Sequence, residues 1–438
     1  MLRLILAILL TTKTKKWATP LPLISWITIY LASLVTITNL HPISSNTIFL
    51  DPTRVRLARI TLWITILVIL RRWTTKNKHN KRSKFFSTCL VLNGLITLTF
   101  CVRTVITFYI LFEITLFPIL ILIIMWGYQP ERLKAVIFIA IYMIVTSLPL
   151  LLCIITVINP NAKFLPTLTI KKTFSYQAIF LILAFLAKLP IYLLHLWLPK
   201  AHTEAPVAGS IVLARVILKL GRYGILRIVL TLPTIFTSIK HFITPITLLG
   251  ASITTWLCLR QHDLKETIAY ASVRHIRLIA STVATKTQWA TVAIILINIS
   301  HGLTRSLLFS SANTIYENSA SRAIASNKGL SSLTPLLVFY LLIALLANGG
   351  APPFANLLRE IIIFISLIKK TILTIFPLIL MSFISMVYSI FIYINIFHGS
   401  PLKSINTINK ISPHYLSSHL HLLIILPSLL LTQHISPT

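Results

Sequence analysis

Only 8 of the 438 residues are acidic, and two of those fall inside long apolar runs. Glu113 lies in FYILFEITLFPILILI, and Glu360 lies in FANLLREIIIFISL. Basic groups occupy comparable runs: Lys188 in FLAKLPIYLLHLWLPKAHTEAP, Lys219 in GSIVLARVILKLGRYGILRIVL, and His301 in ILINISHGLTRSLLFSSAN. Placing one such group in hydrocarbon costs about 2.5–3.5 kcal/mol on insertion scales, so these groups normally face a bundle interior and pair with one another. The chemistry open to such a set is proton transfer. Burial disfavours a lysine's charged form and a nearby carboxylate restores it, so moving the carboxylate sets whether the lysine keeps its proton. Arginine cannot release its proton usefully, which makes lysine the residue for this task. A plainer reading stands beside this one, in which the glutamate is protonated and hydrogen-bonded to a neighbouring helix and the histidine is packed in a core. Two glutamates and two lysines at mid-span depth are harder to absorb in that way. His195 is a further relay candidate, with packing an equal alternative.

These groups must be carried by membrane-spanning elements. Hydrophobic residues make up 56% of the chain and charged residues 11%, where a soluble domain has roughly 25% charged. Spanning runs recur about fourteen times, near 1–11, 22–38, 57–70, 85–101, 104–127, 134–158, 176–198, 206–231, 243–258, 267–284, 288–311, 333–368, 372–397 and 418–433. Continuous runs of this length exclude barrel strands, which alternate over about ten residues. The expected fold is all-α and transmembrane, with MLRLILAILL as a retained first helix rather than a cleaved signal.

Two of the spans are broken. Pro190 removes a backbone hydrogen bond two residues after Lys188, and freed backbone groups at membrane depth need protein or a wet cavity over them. Residues 335–368 would make one helix of about 50 Å, but NGGAPP interrupts them just before Glu360. One interrupted span in each half, each with an ionisable residue, follows the inverted-repeat logic of transporters. The expected organisation is N-terminal helices at 1–84, five-helix repeats at 85–231 and 243–397, and a loop and helix at 398–438.

Cys89, Cys101, Cys153 and Cys258 form no CxxC pair, and neither a metal signature nor a glycine-rich phosphate loop is present. No cofactor is therefore expected within the chain. The net charge of +32, with clusters at 71–86 and at Lys13, Lys15 and Lys16, fits an anionic membrane face, cardiolipin included, or simple topology signals. Nucleic acid is not expected as a partner.

The motifs FYILFEITLFP, WGYQPERLKA, LAKLPIYLLHLWLPKAHTEAPVAGSIVLA, ILKLGRYG and HGLTRSLLFSSANTIYE resemble the chain 4 family of mitochondrial NADH–ubiquinone oxidoreductase (respiratory complex I), over residues 85–400. The resemblance implies an antiporter-like, proton-pumping subunit of the membrane arm in the mitochondrial inner membrane, partnered by other membrane-arm subunits. It implies that Glu113 pairs with Lys188, that Lys219 is the central relay, and that His301 and Glu360 continue the path. NADH, flavin, iron–sulfur clusters and ubiquinone would belong to other subunits. A subunit of a multi-subunit sodium–proton antiporter and a passive membrane scaffold are the competing functions, with a retinal-type Schiff-base protein a remote third.

Several arginines depart from the resemblance, at positions where that family usually carries small residues. Arg215 and Arg222 share the Lys219 face, Arg305 follows His301 by one turn, Arg274 adjoins His275, and Arg359 adjoins Glu360; Arg277 and Arg103 look similarly out of place. Two explanations are open. Either these guanidiniums face water-filled paths or headgroups, or the codons AGA and AGG have been read as arginine where the organelle reads them otherwise.

Overall fold

In hydrocarbon each backbone N–H and C=O must find its partner within its own segment, so uninterrupted apolar runs become helices. The structure, a computed structural model, describes residues 20–400 apart from 46, 73–78, 128, 158–174, 232 and 286, together with 413–426. The expected helix at 1–11, Lys13, Lys15, Lys16 and the middle of the 71–86 stretch lie outside the described residues, as does the Arg215 side chain.

In chain order the elements begin with α1 (Pro20–Leu40), a two-stranded antiparallel ribbon of β1 (Ile43–Ser44) and β2 (Phe49–Leu50), α2 (Pro52–Arg72) and α3 (His79–Cys101). There follow α4 (Val105–Ile114), α5 (Leu116–Trp126), α6 (Arg132–Val157), α7 (Ser175–Lys188), α8 (Trp197–Glu204) and α9 (Val207–Thr231). The chain continues through α10 (Pro233–Arg260), α11 (Leu264–Val283), α12 (Gln288–Ser319) and the single turn α13 (Leu330–Leu333). It closes with α14 (Pro335–Gly349), α15 (Ala355–Ile368), α16 (Ile375–Phe397) and α17 (Pro413–Ile425). Seven helical stretches among the described residues are long and apolar enough to cross a membrane, and the chain is a multi-pass, all-α membrane protein.

The helices group into two units. Residues 1–188 and 204–238 form the first, in which α1 packs on α2, α2 on α3, α6 on α7, and α7 on α9. Residues 189–203 and 239–438 form the second, built around α12, which packs on α11, α14, α15 and α17. Large apolar side chains such as Phe117, Ile137, Phe376 and Phe383 are exposed. That many exposed apolar groups would be anomalous in water and is the ordinary finish for a lipid-facing surface.

Both expected interruptions are present. The 176–198 run ends its first helix at Lys188 and resumes at Trp197, and the 335–368 run divides into α14 and α15. The 104–127 run stays a single span, from Val105 to Trp126. Its hydrogen-bond ladder is loosened for one residue at Thr115, which keeps helical dihedrals and donates to the Leu111 carbonyl at 3.1 Å, because Pro118 has no N–H for the Ile114 carbonyl and its ring crowds that turn. Glu113 lies two residues before Thr115.

Candidate functional site

In the first unit, Lys188 is the last residue of α7 and is almost fully buried. Its ammonium lies 3.6 Å from Glu113 Oε1, donates to the Phe112 carbonyl at 3.2 Å, and stands 2.8 Å from the centre of the Phe112 ring. Thr115 Oγ1 donates to the same carbonyl at 2.8 Å. The C-terminal turn of α4 thus gives Lys188 a carboxylate, a carbonyl and an aromatic face, each of which favours a cation. Glu113 is 21% exposed against 2% for Lys188, so the carboxylate is the wetter end of the pair.

Lys219 is buried in the middle of α9. The helix bearing it packs on the helix bearing Lys188; the Phe185 ring, one turn before Lys188, lies directly against Gly224. Further along α9, Arg227 pairs with Asp51, which also lies 3.6 Å from Arg54 Nε. Arg54 donates to the carbonyls of Phe49 and Val102. Asp51 is thus an anchor between the end of the ribbon and α9. Arg103 Nη1 likewise donates to Ser45 O at 2.6 Å.

In the second unit, residues 189–196 run unwound between the two helical pieces. Leu193 has φ 83°, a left-handed conformation that costs a branched side chain on the order of 1–3 kcal/mol. His195 is buried with its ring stacked on Tyr192 at 5.6 Å. Arg277 Nε donates to the Pro190 carbonyl at 3.1 Å, and its guanidinium lies 5.6 Å from the Tyr192 ring centre.

The same unit holds His301 and Glu360, and His275 of α11 lies between them. The His301 and His275 rings meet edge to face at 5.7 Å. His275 Nδ1 is 3.7 Å from Glu360 Oε1, and His275 Nε2 is 3.2 Å from Asn348 Oδ1. Asn348 in turn donates to the Tyr388 hydroxyl at 2.8 Å. Arg274 reaches Glu360 at 3.2 Å and Arg359 reaches it at 4.0 Å, so two of the out-of-place arginines share one acid. Gly350 makes the carboxylate's place: it closes α14 at φ +84°, and a Cβ there would stand 3.0 Å from Glu360 Oε2.

The structure therefore brings Glu113 to Lys188 and connects His301 to Glu360 through His275, while Lys219 is buried on the helix packed against that of Lys188 and His195 is buried in the unwound segment against Tyr192. His275, Asn348 and Tyr388 were not singled out as site residues. The only local signal was a histidine inside SVRHIRL, on a helix whose residues are nearly all buried.

Residues 102–389 match the family described as NADH:quinone oxidoreductase/Mrp antiporter, TM. The chain is 37% identical over 391 residues to NADH-ubiquinone oxidoreductase chain 4 of Lumbricus terrestris, covering 87% of this chain and 83% of that protein. It is 36% identical over 392 residues to the chain 4 protein of Paracentrotus lividus, with 86% and 84% covered. Its fold matches a chain in the structure of respiratory complex I from Thermus thermophilus with bound NADH, at a TM-score of 0.87 and 20% identity, over 99% of this chain and 96% of that one.

Proposed function

The chain belongs to the NADH:quinone oxidoreductase/Mrp antiporter family, and from that premise we propose that it is a proton-translocating membrane-arm subunit of an NADH:ubiquinone oxidoreductase. It would sit as a multi-pass protein of the mitochondrial inner membrane, against other membrane-arm subunits and membrane lipids, cardiolipin included. NADH, flavin, iron–sulfur clusters and ubiquinone are assigned to other subunits, and this chain carries no redox step. Its two interrupted helices are read as equivalent members of two repeats, at 85–231 and 243–397, with N-terminal helices before and a loop and helix after 398.

The observation that carries the reading is the buried Lys188–Glu113 pair at the end of an interrupted helix. With the carboxylate close, the ammonium is supported. Drawing Glu113 away removes that support, and the proton leaves along water towards Lys219. His301 and Glu360 then take it onward, with His275 bridging the last gap. The energy arrives from neighbouring subunits as a shift in position or field, since in a low dielectric a small displacement changes the energy of a charged pair steeply.

The test is Lys188→Ala and Glu113→Ala in the assembled complex in vesicles, reading NADH-driven proton uptake. Near-normal complex abundance with sharply reduced uptake is expected. Wild-type uptake in either variant would overturn the assignment and favour a passive membrane scaffold.

A further inference from the structure

The far end of the discontinuous helix is held by two cations at one backbone atom. Lys265 Nζ donates to the Thr203 carbonyl at 3.1 Å, and Arg322 Nη1 donates to the same oxygen at 3.0 Å. Thr203 is the penultimate residue of α8, so its carbonyl is one of those a helix leaves without an internal donor, at the negative end of the helix dipole. Charge-assisted bonds of this kind are roughly twice as strong as neutral ones.

The backbone is arranged to deliver both cations to that point. Asp263 and Ala323 form an isolated antiparallel bridge. The Leu264 N–H donates to Arg322 O at 3.0 Å, and the Ile324 N–H donates to His262 O at 2.9 Å. Ala320 turns the chain out of α12 at φ 54°, and the Arg322 guanidinium then lies 5.5 Å over the Tyr316 ring of that helix. Lys265 is buried in the first turn of α11. One cation therefore belongs to the helix carrying His275, and the other follows directly from the helix carrying His301.

We propose that Lys265 and Arg322 are positioning residues that tie the second half of the broken helix to the two histidine-bearing helices, so that the three elements move as one during proton transfer. The proposal rests on the relay reading above. Neither residue is given a proton to carry. Their part is to hold α8 at a fixed register on α11 and α12, so that a displacement at the break is felt at His275 and His301.

The experiment measures NADH-driven turnover and protons taken up per NADH in vesicles containing the complex with Lys265→Gln, Arg322→Gln, both together, or Arg322→Lys. Either cation alone still holds the carbonyl. Each glutamine variant is therefore expected to lose about twofold in coupled turnover, and the pair about tenfold, more than the product of the two. Protons per NADH should fall in the double variant, and Arg322→Lys, which keeps a cation by putting an ammonium in place of the guanidinium, should stay near the wild-type value. Reduced abundance with wild-type protons per NADH in the complexes that form would overturn the proposal, as would a double variant no worse than the product. Lys188→Ala measured alongside separates the two readings. If Lys188→Ala pumps normally the relay itself fails; if it is inactive while the double variant is normal, only the positioning role fails.

Discussion

Replacing Gly350 with alanine tests whether the position of the Glu360 carboxylate matters. Two costs arise at this residue. At φ +84°, a β-carbon in the left-handed region costs about 1–2 kcal/mol. The new Cβ would also stand 3.0 Å from Glu360 Oε2, so the carboxylate must retreat by about 0.4 Å to reach ordinary van der Waals contact. That movement is small beside the size of the site but falls on a group 3.7 Å from His275 Nδ1. Misplacing a reacting group by about 1 Å can cost 100-fold in rate, so a displacement of under half that should cost roughly five- to tenfold. The assay is coupled NADH oxidation and proton uptake per assembled complex, together with complex abundance. Gly350→Asn separates the two costs: asparagine tolerates the left-handed backbone but still crowds Glu360, so abundance should recover while coupling does not. Wild-type coupling in Gly350→Ala would refute the claim that Glu360 is held in place by this approach.

Asp51→Asn should lower complex abundance and thermal resistance, because removing one member of a buried charge cluster costs about 3–5 kcal/mol and here leaves Arg54 and Arg227 facing each other without a carboxylate; unchanged melting of the complex would refute the anchor. Lys219→Arg keeps the charge but not the ability to release a proton, so normal assembly with lost proton uptake is expected, and retained uptake would remove Lys219 from the path. Peptide mass spectrometry across positions 274, 277, 305 and 359 is expected to find residues smaller than arginine. All four are buried, and Arg274 Nε, Arg277 Nη2 and Arg359 Nη1 have no hydrogen-bond acceptor among the described residues, at an insertion cost of about 2.5–3.5 kcal/mol for each guanidinium. Arginine masses at those positions would settle the matter the other way.

What could be read from sequence was what proline, glycine and continuous apolarity dictate locally. Pro190 and NGGAPP stand where their helices end, and the missing N–H and the ease of a left-handed turn are properties that make such ends favourable there. The one-residue loosening at Thr115 is not legible in sequence because proline is an ambiguous sign in a membrane helix. Pro149 lies within α6 and Pro245 within α10, and both helices continue through. Whether a proline breaks or merely bends a helix depends on what packs against the freed carbonyl, which is tertiary information. The same limit hid the other contacts. His275, Asn348 and Tyr388 come from three helices widely separated in sequence, and Asp51 finds Arg227 at a separation of 176 residues.

The ionisable groups and the interruptions coincide for a physical reason. An intact transmembrane helix consumes its own carbonyls and offers nothing to a charge beside it. Opening the ladder releases acceptors at membrane depth, where they cannot be left unsatisfied. Glu113 sits two residues before Thr115, Lys188 two residues before Pro190, and Glu360 against Gly350. Beside Thr115 the Phe112 carbonyl takes a bond from Lys188, and beside the Gly350 turn the Asn348 side-chain oxygen takes one from His275. Each break therefore supplies the polar surroundings that make its charge tolerable. A backbone held open in this way is also easier to move than a closed helix. The arrangement that lowers the cost of burying the charge is thus the arrangement that lets its partner withdraw, which is what a proton-transfer step in hydrocarbon requires.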